Sequence, residues 1–102
     1  MTCEIIIRPE AAVDIEHAFN WFEEKHQGLG VQCLTAVDAC LTAIANMPFA
    51  YPVVYREVRR ALTKKFPYCL FYVVRGDQII VVACLHARRN PIEWMRRGEA
   101  VD

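Results

Sequence analysis

Glycine is scarce, with four in 102 residues, and the five cysteines never form a C-x-x-C pair. That spacing is what zinc ribbons and dithiol redox centres need, so neither class is expected and no metal or other cofactor is called for. Cys3, Cys33, Cys40, Cys69 and Cys84 are odd in number and read as reduced thiols filling small apolar gaps. No apolar run approaches the roughly 18 residues of a membrane helix, and no basic stretch leads into an apolar signal core. The expectation is a cytoplasmic protein with no membrane role. Repeats and low-complexity tracts are also missing. Basic residues are nearly absent from the first half: residues 1–50 hold Arg8 and Lys25 against seven acidic side chains, whereas residues 51–102 hold ten basic against five acidic. A net charge of zero therefore hides a balance of −5 and one of +5. The cationic half attracts phosphates or an acidic protein, and charge alone does not choose between them.

The chain does contain a generous apolar complement. Hydrophobic residues make up 55% of 102 positions, enough for one core and too little for two, so residues 1–102 read as a single domain. A mean hydropathy of +0.14 is high for so small a protein and leaves apolar surface that a partner could cover.

Thr2 to Arg8, with three consecutive isoleucines and Pro9 behind, reads as a short strand. Pro9 suits the first position of a helix running to about His26, whose apolar stripe is Ala11, Ile15, Ala18, Phe19 and Phe22. After the turn at Gly28–Gly30, a second stripe (Cys33, Leu34, Val37, Cys40, Leu41, Ile44, Met47) predicts a second helix that Pro48 ends. The two helices must pack as an antiparallel hairpin. Met47 to Pro52 has two prolines among aromatics and reads as a stiff, extended crossing.

From Val58 the period becomes that of strands: Val58–Lys65, Tyr68–Arg75 and Gln78–His86, the last two joined at Gly76–Asp77. Tyr68, Leu70, Tyr72 and Val74 alternate with Cys69, Phe71 and Val73. Ile79, Val81, Ala83 and Leu85 alternate with Ile80, Val82 and Cys84. Both faces are apolar, yet a helical hairpin covers only one. The second face must be covered by the crossing, by the segment Pro91 to Arg97, by another copy or by a foreign protein. The expected fold is α+β, ordered β-α-α-β-β-β, with the hairpin on one face of a curved antiparallel sheet and a short C-terminal helical segment.

Arg59-Arg60 ahead of Phe66-Pro67-Tyr68, then Tyr72, then His86 followed by Arg88-Arg89-Asn90-Pro91 and Trp94, resemble the ParE-like branch of the RelE/ParE toxins of bacterial type II toxin-antitoxin systems. The opening strand, Pro9 and Ala12 before Asp14, the Gly28 turn and Pro48 fall in the same order. Arg8 departs from the serine or threonine that commonly caps the first helix there, and Asn90 from the acidic residue usual before the proline. The resemblance implies a toxin and a cognate antitoxin whose acidic C-terminal segment wraps the toxin's groove in a hetero-oligomer. It also implies one of two targets. ParE-like members are known as inhibitors of DNA gyrase, and RelE-like members cut messenger RNA on the ribosome without a metal. A degenerate, non-toxic member is a third possibility.

Metal-free RNA cleavage needs a base, an acid and cations near phosphorus. Under that reading Arg59, His86 and Arg88 form the catalytic set, His86 being the strand-end side chain able to move protons near neutrality. A second proton-transfer residue is not evident, and His86 equally reads as a hydrogen-bonded strand terminus. The candidates for contact with target or antitoxin are Arg60, Lys65, Tyr68, Tyr72, Arg89, Trp94, Arg96 and Arg97. Each has a structural alternative: Arg59, Arg60, Lys64 and Lys65 as an edge guarded against aggregation, Tyr68 and Tyr72 as core aromatics, and Trp94 as a pin for the tail.

Overall fold

Pro9 opens a helix because its ring pre-sets the backbone dihedral and its missing N–H is one the first turn leaves unpaired anyway. In the computed structural model, which describes residues 3–101, that helix is α1 (Pro9–Lys25), preceded by β1 (Glu4–Ile7) and followed by α2 (Leu29–Asn46). Thr2, part of the expected first strand, lies outside the described residues. Arg8 gives α1 no side-chain cap, as the departure from the usual residue implied. Gly28 turns the chain at a φ of 90°, a left-handed conformation that costs glycine little. The Glu23 carboxylate reaches across the turn and accepts from the Gly28 and Gly30 N–H groups (3.0 and 2.9 Å), so α1 caps its own partner helix with a negative charge at the positive end.

The remaining elements are β2 (Val53–Tyr55), β3 (Val58–Leu62), β4 (Tyr68–Arg75), β5 (Gln78–His86) and α3 (Ile92–Glu99). The short β2 was not foreseen. It forms because the crossing leaves Pro52 extended, with its carbonyl accepting from the Arg60 N–H at 3.1 Å. The five strands lie in the order β1-β5-β4-β3-β2. β2 to β5 are antiparallel and β1 runs parallel to β5, so the α+β sheet is mixed rather than wholly antiparallel.

The alternation of β4 is as read: Leu70 and Tyr72 face α1 and α2, while Cys69, Phe71 and Val73 face the other way. That of β5 is corrected. Tyr72 pairs with Val81 but Phe71 pairs with Ala83, so Val82 is an extra residue, and a bulge exchanges the two faces beyond it. Cys84 therefore belongs to the helix-side core with Ile79 and Val81, and Ala83 and Leu85 to the far side with Val82.

Of the four covers the sequence left open for the far face, the structure uses the chain's own C-terminal segment, so that face holds no vacancy for a foreign polypeptide. The segment after Pro91 folds back over it. Trp94 stacks on Phe71 (4.5 Å between centroids, 11° between planes), and Val101 is buried in the same cluster. Asn90 starts α3 by accepting from the Ile92 N–H at 3.0 Å, a task an acidic residue would perform equally. On length, too, a correction is due. α2 has 18 residues at a mean hydropathy of 1.3, enough by size and composition to cross a membrane. Here Cys33, Val37, Cys40 and Ile44 pack into the protein core, as they do in any buried helix.

Candidate functional site

Three places on the molecule gather chemistry or unspent apolar surface. The first is a cleft of about 480 Å³ between α1, the end of β5 and α3, where Tyr68, Arg89 and Arg97 meet Asp14, His17, Trp21 and Glu93. β5 runs past the end of β1, so its backbone beyond Val81 is an open edge. Two side chains close that edge. Asp14 accepts from the Cys84 N–H (3.0 Å) and from Arg97 (2.5 Å), while Arg97 also donates to the Val82 carbonyl (3.1 Å) and to Glu93 (2.6 Å). Arg97 and Asp14 have side chains only 16% and 8% exposed, so this pair joins α1 to α3 through the strand between them. It serves cohesion, and it spends a cation that the sequence offered as a surface contact. Arg89 is likewise engaged, 3.0 Å from Glu93, and Arg75 is 2.9 Å from Glu57. The +5 of the second half is thus partly neutralised.

The second place is the crossing. Tyr72 is wholly buried, and its hydroxyl donates to the Pro48 carbonyl at 2.6 Å. Burial pushes that hydroxyl up to about 12, so it stays protonated. Burial also raises Tyr68, whose ring packs edge-on against Phe22 and His86. Neither phenol is poised as a base. Arg59 donates to the Tyr51 carbonyl at 2.7 Å and lies over the Phe49 ring, 5.1 Å from its centroid. The candidate catalytic set is consequently dispersed. Arg59 pairs with Tyr72 and His86 with Tyr68, four residues apart on β4, which separates them by roughly 13 Å along the strands alone. His86 accepts the Arg88 N–H on Nδ1 at 3.1 Å, closing its strand, while Arg88 and Arg96 are exposed with no partner among the described residues.

The third place is a trough along α2. Two adjoining hollows of about 170 and 390 Å³ share Ala36, Ala39 and Lys64. Their floor is small, Ala36, Ala39 and Ala43 at helical spacing, so another backbone can approach α2 closely. From Val31 to Ala43 the trough measures about 18 Å. Its far wall is Leu62, Lys64, Lys65 and Phe66. Lys65 takes a left-handed φ of 72°, unusual for a side chain with a Cβ, in a turn that Thr63 pins from beneath, its hydroxyl 2.9 Å from the Phe66 carbonyl. Leu62 is 62% and Val31 58% exposed. Of the predicted contact residues only Lys65 lines this trough; Arg60 is exposed and pairs with Phe71, which puts it on the α3 side of the sheet. Sequence reading missed the alanines because an alanine stripe looks like ordinary helix filler. It missed Asp14 although a signal was there, a carboxylate three after Ala11 and four before Ala18 on the buried face.

The chain matches, over residues 5–91, the family described as the ParE toxin of the type II toxin-antitoxin system parDE. Among solved structures, a chain of the chromosomal ParDE toxin-antitoxin system from P. aeruginosa superposes with a TM-score of 0.63 at 14% identity, over 83% of this chain and 96% of that one. At that identity the likeness is one of fold. The search of curated proteins returned no match. With the family pattern spanning all five strands and the helical hairpin, the chain belongs to the ParE toxin family of type II toxin-antitoxin systems.

Proposed function

We propose that this chain halts growth from within the cytoplasm by binding DNA gyrase as a protein inhibitor, and that an acidic antitoxin segment laid in the α2 trough neutralises it. The observation that carries the reading is the trough itself. It is a concave, apolar, three-turn channel whose one charged wall, Lys64 and Lys65, has no carboxylate partner among the described residues. An amphipathic segment with carboxylates along one side matches it in shape and charge. The dispersal of Arg59 from His86 favours binding over RNA cleavage, because a phosphoryl transition state needs its acid, base and cations within hydrogen-bond reach of one phosphate.

Induction of the chain alone, and then with the protein encoded beside its gene, tests this directly. Growth arrest relieved by the neighbour, with supercoiling by purified gyrase blocked and transcripts intact, is the expected result. New transcript ends that vanish in His86→Ala would assign the chain to the RNA-cleaving class instead. Ala39→Glu, which fills and charges the trough floor, should leave arrest in place and weaken relief by the neighbour.

A further inference from the structure

The sheet has two outer strands, and only one of them is guarded. β2 is three residues long, follows Pro52, carries a register shift between Val53 and Tyr55, and ends at Arg56, which takes a left-handed φ of 52°. Short length, prolines and bulges are the usual means of stopping another chain from adding to an edge. β1 has none of these between Glu4 and Ile7: it pairs with β5 without a shift, and no strand lies beyond it among the described residues. The Glu4 and Arg8 N–H groups donate to the Asp77 and Val81 carbonyls (2.9 and 3.0 Å), so by the period of two those of Ile5 and Ile7 point out of the sheet. Ile6 and Ile7 are 36% and 39% exposed. The edge therefore offers backbone groups and apolar side chains together.

The order of its residues says what fits it. Read backwards, Glu4-Ile5-Ile6-Ile7-Arg8 keeps its isoleucines and exchanges its charges. We propose that β1 pairs antiparallel with β1 of a second copy about a two-fold axis at Ile6, continuing the sheet across both. In that register Ile5 and Ile7 exchange backbone hydrogen bonds with Ile7 and Ile5 of the second copy, Ile6 meets Ile6, and Glu4 meets Arg8. Glu4, Ile6 and Arg8 occupy the positions not hydrogen-bonded between copies, where facing side chains come closest. Arg8 is extended (φ −68°, ψ 153°), which carries the alternation to it, and it has no carboxylate partner among the described residues. Glu4 accepts from the Gln78 amide at 3.1 Å on one oxygen, which leaves the other for a guanidinium. Sliding the register by two residues either way sets Glu4 or Arg8 against Ile6 and loses both charge pairs. β3, which supplies Leu62 to the wall of the α2 trough, lies three places from β1 in the sheet, so the second copy and an occupant of the trough bind together. The inference does not depend on what the toxin inhibits.

Sedimentation velocity over a concentration series tests it on the full chain, alone and with the protein encoded beside its gene, as wild type, Glu4→Arg, Arg8→Glu, the two combined, and Ile6→Lys. The wild type should dimerise below about 300 µM, since so short an interface belongs at the weak end of specific association. Glu4→Arg and Arg8→Glu each set like charges opposite one another, twice by symmetry, and should weaken the dimer about tenfold, while the combined variant returns to within about threefold of wild type. Ile6→Lys should abolish it. Cys3→Ser with Ile6→Cys should give a disulfide-linked dimer on oxidation, because facing Cα atoms at such a position are about 4.5 Å apart. Should Ile6→Lys melt early, the charge exchange and the introduced cysteine decide. A wild type still monomeric at about 300 µM overturns the inference. So does a dimer that Glu4→Arg leaves intact, a combined variant no tighter than either single one, or an Ile6→Cys chain that oxidation does not link. A folded Ile6→Lys that no longer binds the antitoxin assigns the edge to the antitoxin and overturns it as well. Growth arrest is not among the readouts, so the reading of the target stands or falls separately.

Discussion

The two faces of the sheet are equally apolar and are covered in opposite ways. On one, α1 and α2 lay apolar side chains over Leu70, Tyr72, Ile79 and Val81, and cohesion comes from burial. On the other, α3 has eight residues and none fully buried, yet Phe71, Val73, Val82 and Leu85 beneath it are almost completely hidden. It is held by particular contacts. Trp94 lies on Phe71, Arg97 is locked to Asp14, Arg75 donates to the Val101 carbonyl at 3.2 Å, and the Tyr55 hydroxyl bonds Glu99. An apolar strand face thus says that a cover exists, and not whether burial or a few polar fastenings hold it.

Breaking the helix-side face should cost most. Leu70→Ala opens a cavity where nothing is exposed, and a loss of about 3–5 kcal/mol in denaturant unfolding is expected. Alkaline pH attacks the same face. Burial pushes the Cys84 thiol from its ordinary 9.0 up to about 12, and burial followed by the nearby Cys69 pushes Cys40 up to about 11. The folded state therefore holds protons that the unfolded chain releases. Stability is intact below pH 9 and falls as pH rises toward 12, by about 2 kcal/mol or more at pH 11, read from melts across that range.

On the strap side the effects are smaller and local. Asp14→Ala strands Arg97 and the Cys84 N–H, which should cost about 2–4 kcal/mol and speed hydrogen exchange in α3 before α2. Trp94→Ala removes one stacked ring and should cost about 1–2 kcal/mol, with Cys69 becoming reactive toward thiol reagents in the native state while Cys40 does not. Glu99→Gln, at the exposed end of α3, should shift stability by less than about 0.5 kcal/mol. If Asp14→Ala instead melted the whole chain in one step, the two covers would not be separable units.

Most of the fold was legible because its signals are local. Pro9, Gly28 and Pro48 punctuate the hairpin, and the 3.6-residue spacing of Cys33, Val37, Cys40 and Ile44 names the face of α2 that packs inward. The alternation along Tyr68–Val74 also held. The reading of β5 failed at Val82 because a bulge depends on the register with β4, and Val-Val-Ala carries no residue that marks one. Of the site residues, Lys65 stands on the trough, but Tyr72 went to the core and Arg97 to a buried ion pair. A residue's type told what it could bind, and only its neighbours told whether that capacity was already used.

By itself the sequence determined every element except β2, their order, that both faces of β4 and β5 are apolar, and the charge divided between the halves, since each depends on residues a few positions apart. Which segment closed the second face, which cations stayed unpaired, and that Ala39 lines a trough were decided by the tertiary structure. Those outcomes rest on Asp14 meeting Arg97 across 83 positions and Tyr72 meeting Pro48 across 24, contacts whose partners no local pattern specifies and which form only once the sheet has set its register.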